Sequence, residues 1–155
     1  MKKPKNIDHD TLWKMVITRL FKQFLAFGLP EVYADADFSV ESEFLEQELP
    51  KLVADGKKKG KRISDKLVKL RLKVGKDIWL FIHVEVQSTF ETDFNQRMHT
   101  YFYRILDKIP HKLTAIALYT TQEIPRQYDR YQYECYGVIN DFKFNTNSKF
   151  FTLNL

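Results

Sequence analysis

The chain has a single cysteine, Cys135, in 155 residues. One thiol excludes a disulfide framework and a cysteine-built zinc site, and it fits a reducing cytoplasm. Long hydrophobic runs are also missing. The uninterrupted apolar stretches, such as Ile78 to Ile82, do not exceed five residues, far short of a membrane span. The first ten residues, MKKPKNIDHD, are charged and lack an apolar h-region, so they do not read as a secretory signal. No internal repeat, low-complexity tract or strong linker is visible. Nor does one sign of charge dominate. Lys and Arg number 25 against 20 Asp and Glu, a net +5. That mild excess is compatible with a polyanionic partner such as nucleic acid but does not require one.

Aromatic residues, by contrast, are abundant. Thirteen Phe, eight Tyr and two Trp lift their share to 15%, within an apolar fraction of 44%. This excludes a disordered tail and predicts a packed interior in one domain over residues 1–155. The dense charge cluster Lys57-Lys58-Lys59-Gly60-Lys61-Arg62 is either a solvated loop or a loop that touches phosphates.

Periodicity predicts a helix from Asp8 or Asp10 to about Phe27, with Leu12, Trp13, Val16, Ile17, Leu20, Phe21, Phe24 and Leu25 recurring at three and four, stopped by Gly28 and Pro30. Residues 31 to 40 read as irregular. Ser39 would cap a short acidic helix, Glu41 to Leu49, ended by Pro50. Two apolar-rich runs, 63–74 and 77–87, form a β-hairpin around Gly75. A helix opens at Thr92 or Asp93, runs to Lys108 and buries Phe94, Met98, Phe102, Ile105 and Ile109. Residues 112–121 form a buried strand, and 128–151 form shorter strands. The order predicts an α/β sandwich with a mixed sheet.

The hairpin carries the chemistry. In its second strand the even positions 78 to 86 are Ile, Leu, Ile, Val and Val, and the odd positions 79 to 87 are Trp, Phe, His, Glu and Gln. The first strand has Val68, Leu70, Leu72 and Val74 on even positions, and Asp65, Lys69, Arg71 and Lys73 on odd ones. A one-residue slip would oppose every apolar side chain to a polar one, so even must pair with even across a loop of three or five residues. That register puts Asp65 on the face of Glu85 and Gln87, at or near a directly opposite position. Two carboxylates in a half-buried setting need a shared proton, a basic partner or a divalent cation. Oxygen ligands favour Mg2+ or Mn2+, and the Val86 carbonyl lies between the two acidic strand-end positions as a further donor. Alternatively, Asp65 pairs with Lys66 or Lys69 in a surface ion network.

Asp65, then Ile-His-Val-Glu-Val-Gln at 82–87, then Asp93-Phe94, Arg97-Met98, Tyr101 and Tyr103-Arg104-Ile105 resemble the Rpn family. Its members are recombination-promoting nucleases, also labelled transposases, in the PD-(D/E)XK nuclease superfamily. The helix Leu12 to Pro30, the stretch Phe44 to Leu49 and the strand Leu113 to Tyr119 add to the resemblance, which covers about residues 8–145. It implies a restriction-endonuclease-like sandwich with a four-stranded mixed sheet flanked by helices, followed by a β-rich tail. It further implies Mg2+- or Mn2+-dependent cleavage of DNA phosphodiesters, linked to recombination or mobile elements. On this basis Asp65 and Glu85 are catalytic metal ligands, with Val86 supplying its carbonyl and Glu48 the upstream acid (Glu43 in reserve). Gln87 stands where the superfamily usually has lysine.

An amide bears no charge and cannot serve as a base near neutrality, though it can orient a water. Lys69 has the right face parity to replace the missing charge. His83 is either a proton shuttle or a hydrogen-bonded core histidine. Arg97, Tyr101 and Arg104 form one helical stripe, whose Arg97 and Tyr101 either bind phosphate or brace the acids. Tyr128, Tyr131, Tyr133 and Tyr136 either stack on bases or pack a sheet edge. The runner-up reading is a catalytically inactive nuclease fold that binds DNA or a partner, and exposed aromatics leave a homodimer open.

Overall fold

The computed structural model describes residues 9–53, 65–74, 78–120 and 128–146. Helices α1 (His9–Arg19), α2 (Phe21–Gly28) and α3 (Pro30–Asp35) come first, then strand β1 (Glu43–Phe44) and helix α4 (Glu48–Val53). Strands β2 (Lys66–Arg71) and β3 (Trp79–Gln87), helix α5 (Phe94–Lys108) and strand β4 (Lys112–Tyr119) follow, and β5 (Arg130–Cys135), β6 (Val138–Lys143) and β7 (Asn145–Thr146) close the described chain. Five strands make one mixed sheet in the order β1-β2-β3-β4-β7, and β5 and β6 form a separate hairpin.

The hairpin register follows the alternation argument. Val68 faces Ile82, Leu70 faces Leu80 and Leu67 faces His83, and Leu72 N–H donates to Ile78 C=O at 2.9 Å. Even residues therefore share one face of the sheet. Val68, Leu70, Leu80, Ile82, Val84 and Val86 join Ile116 and Leu118 of β4 and bury against Ile17, Phe21, Phe24 and Leu25 of α1 and α2. The odd face carries the other helical layer. There Leu67 and Phe81 pack with Leu49 and Val53 of α4 and Ile105 of α5. Ala115 and Ala117 of β4 are small enough to admit Phe94 and Met98 of α5. β3 is central, antiparallel to β2 and parallel to β4, with helices over both faces. That position explains why its last eight residues are all buried.

Four expectations need correction. The long first helix is broken at Leu20 (φ −117°, ψ 36°), and Pro30 begins α3 instead of merely ending a helix, because proline's missing N–H is not needed at a first helical position. The acidic helix Glu41–Leu49 is not formed. Glu43 and Phe44 extend instead and pair with Lys69 and Val68, while the helix starts at Glu48 and runs through Pro50, whose absent N–H is again in the unbonded first turn. Ser39 donates to Asp37 Oδ1 at 2.6 Å and caps nothing. The sheet has five strands, not four, because β1 and the parallel β7 flank the β2–β3–β4 core. The basic cluster 57–62 and Gly75 lie outside the described residues.

The helix predicted to end at Lys108 does so, and Ile109 follows as its C-cap. The β5–β6 hairpin turns on Tyr136 (φ 44°) and Gly137 (φ 84°), the pair of left-handed positions that a two-residue hairpin loop requires. Among the described residues, no helix is long and apolar enough to cross a membrane.

Candidate metal centre

Asp65 immediately precedes β2, one step beyond the last pair, Lys66 with Val84. The register thus sets it beside Glu85. Ligand atoms of Asp65, His83 and Glu85 all lie within 4.8 Å of one another. The cluster sits where the parallel strands β3 and β4 reach their C-terminal ends, the usual location of ligand sites in open α/β sheets. The Asp65 side chain is 5% exposed, and His83 and Glu85 are buried.

The electrostatics are unfavourable for the bare acids. Burial first, and the neighbouring Asp65 charge second, push the Glu85 carboxyl well above its ordinary value of 4.5. Arg97 pulls the other way without offsetting them. Its Nε and Nη2 donate to Glu85 Oε1 at 3.1 and 3.0 Å, its Nη1 to Glu91 Oε2 at 2.6 Å, and its Nη2 also to Gln87 Oε1 at 3.3 Å. Burial disfavours the guanidinium charge, but the Glu85 and Glu91 carboxylates outweigh burial and hold its pKa above the ordinary value.

Among the described residues, three buried polar atoms at the cluster have no hydrogen-bond partner: His83 Nδ1, His83 Nε2 and Glu85 Oε2. His83 Nε2 lies 3.9 Å from Asp65 Oδ2, beyond hydrogen-bond range. Unsatisfied buried atoms of this kind are costly, and one imidazole nitrogen grouped with the Glu85 and Asp65 carboxylates fits a cation. Two carboxylates and an imidazole form a donor set suited to a divalent metal ion. The buried Asp65–His83–Glu85 group can therefore hold one.

No family model, curated protein or solved structure matches the chain. The site is accordingly read from its own geometry. Asp65 and Glu85 converge as the register predicts. The Val86 carbonyl belongs to the even set that points toward β2, as Ile78 C=O does, whereas Gln87 C=O bonds Thr120 on the β4 side. It therefore projects toward the Asp65 end of β2. Gln87 is buried, and both ends of its amide are engaged. Its Nε2 donates to Thr89 C=O at 2.7 Å, and its Oε1 accepts from Arg97.

Other expected members are placed elsewhere. Glu48 is exposed in the first turn of α4 and does not belong to the cluster. Glu43 pairs with Lys69 across the β1–β2 edge at 3.6 Å. Lys69 has the predicted face but the wrong end of it. Its Nζ rests 4.4 Å from the centre of the Trp79 ring, and four strand residues, about 13 Å, separate it from Asp65. Neither lysine is a partner of Asp65 by ion pairing: Lys66 is held by Glu46 on the opposite face, and Lys69 by Glu43.

Arg97 is bonded to Glu85 and Glu91. Tyr101 is half-buried with its ring edge toward His83, centroids 6.0 Å apart. Burial, then the Glu85 and Asp65 charges, raise its hydroxyl pKa, so it stays protonated. Arg104 donates to Val53 C=O at 2.8 Å and closes the end of α4. Tyr128 donates to Glu91 C=O at 2.9 Å, and Tyr131 stacks on His99 at 5.1 Å. Tyr133 and Tyr136 project from the exposed hairpin. His83 is the residue sequence reasoning undervalued. Its parity with Glu85 was visible, but the absence of a partner for either ring nitrogen was not.

Proposed function

We propose that the chain is a metal-dependent DNA endonuclease of the Rpn, PD-(D/E)XK type, with Mg2+ or Mn2+ held by Asp65 and Glu85. The observation that carries this reading is the convergence of two buried carboxylates from adjoining strands, with Glu85 Oε2 left unpartnered. A divalent cation in such a site would polarise a scissile phosphate and activate a water for in-line attack. The chain's own residues supply the rest. Arg97 occupies Glu85 Oε1 and leaves Oε2 without a partner among the described residues. Gln87, anchored on Thr89 and Arg97, holds the strand end and offers no base. The net charge of +5 is compatible with a polyanionic substrate.

One observation favours a second reading, a fold that binds DNA or a partner without cutting. No lysine joins the cluster among the described residues, since Lys66 and Lys69 are both committed to other acids. Supercoiled plasmid incubated with Mg2+, Mn2+ or Ca2+ separates the two. The nuclease reading expects nicking with Mg2+ or Mn2+ that disappears in both Asp65→Ala and Glu85→Ala. Salt-sensitive DNA binding without nicking would favour the second reading.

A further inference from the structure

We infer that His83 is itself a metal ligand, through Nε2, and that the centre accordingly selects a transition ion of the Mn2+ class over Mg2+. This deepens the proposed metal-dependent reading and rests on it. The residue is completely buried, and among the described residues neither ring nitrogen has a hydrogen-bond partner. A buried core histidine ordinarily satisfies at least one of its nitrogens, so an imidazole left bare on both sides is anomalous unless something absent from the protein chain engages it.

The geometry points to an ion rather than to a proton link with Asp65. The Nε2 to Oδ2 separation of 3.9 Å is too long for a hydrogen bond. Two ligands around one shared ion, each about 2.1 Å from it, lie roughly 3 to 4 Å apart. The 3.9 Å distance falls inside that range, and the ceiling of 4.8 Å on all three separations requires only a small contraction. The ring is also prevented from swinging away. It is walled by Tyr101, whose ring meets it edge-on at 6.0 Å, and its backbone sits in the central strand opposite Leu67 and Ala115.

The chemical consequence is selectivity. Mg2+ takes oxygen ligands and is reluctant to shed water. An imidazole nitrogen instead favours the first-row transition ions. Two carboxylates with one imidazole thus bind Mn2+ more tightly than a carboxylate pair alone would, while doing little for Mg2+.

The test is calorimetric titration of the full chain with Mn2+ and, separately, Mg2+, alongside His83→Gln and Glu85→Gln. The expected result is a Mn2+ affinity at least about tenfold above that for Mg2+, lost or reduced by about tenfold in His83→Gln with Mg2+ affinity nearly unchanged. If that variant does not fold, electron spin-echo spectroscopy of Mn2+ on the wild-type chain decides, because a coordinated imidazole imposes a nitrogen modulation. An unchanged Mn2+ to Mg2+ ratio in His83→Gln, or bound Mn2+ without nitrogen coupling, overturns the inference and leaves an Asp65–Glu85 metal site standing. Absence of stoichiometric binding by either ion overturns the metal-dependent reading as well. Neither outcome depends on whether plasmid is nicked.

Discussion

Replacing Glu85 by glutamine should stabilise the metal-free protein, and the gain should depend on pH in a defined way. Glutamine has the same shape. Its amide oxygen can accept from Arg97 as Oε1 does, and its amide hydrogens would face Asp65 and His83, where Oε2 now has no partner. The folded state raises the Glu85 pKa above the ordinary value of 4.5 through burial and the Asp65 charge. Relative to high pH, the wild-type fold therefore holds a stability increment that is fully present below pH 4.5 and lost as pH rises through the raised folded-state value. Glutamine does not titrate, so the variant loses nothing over that window. The advantage of glutamine grows by about 1.4 kcal/mol for each pH unit between the unfolded value and the raised folded-state value. For a chain of this size each kcal/mol shifts the melt by roughly 2–4 °C. Thermal melts of both proteins in EDTA from pH 4 to pH 8 read it directly. The advantage of Glu85→Gln should be near zero at pH 4 and grow toward pH 8. A difference that is flat with pH, or that turns against glutamine as pH rises, refutes the placement of an unfavourable buried charge at residue 85.

Other substitutions test neighbouring parts of the account. Arg97→Met removes both guanidinium bonds to Glu85 Oε1 and should cost about 3 kcal/mol in urea unfolding at pH 7, the usual scale for breaking a buried ion pair. Phe94→Ala empties the contact between α5 and Ala115, Ala117 and Phe144, and should cost about 3–5 kcal/mol in the same assay. Lys69→Ala should leave nicking within about twofold of wild type, because its ammonium is spent on Glu43 and Trp79. A loss of tenfold or more would return Lys69 to the catalytic machinery.

The parts of the fold that were legible in the sequence are those where a strict period meets a buried face. Val68, Leu70, Leu80, Ile82 and Val84 alternate without exception, and a register slip would have exposed all of them at once, so the hairpin could be aligned and Asp65 brought to Glu85. α5 was legible for the same reason, since Phe94, Met98 and Ile105 repeat at helical spacing and Pro110 ends the run. Short elements were not. Glu43 and Phe44 become a strand only because the edge of β2 needs a partner, as the Leu45 N–H bond to Leu67 C=O shows, and no local pattern in two residues reveals a tertiary pairing. Leu20 breaks a helix whose apolar period runs straight through it. At the site, face parity is readable in the sequence, but Lys69 lies four residues along the strand from Asp65, too far to share its cluster. Glu48 follows only from the family resemblance, and its side chain is exposed. Most of all, the role of His83 depended on what its nitrogens do not touch, which only coordinates reveal.

The most direct measurement of the central claim is anomalous diffraction from crystals of the protein equilibrated with Mn2+. The account predicts one anomalous peak within about 2.0–2.4 Å of an Asp65 oxygen, Glu85 Oε2 and His83 Nε2. A clear data set with no peak among these residues, or with Mn2+ bound only elsewhere, would contradict it.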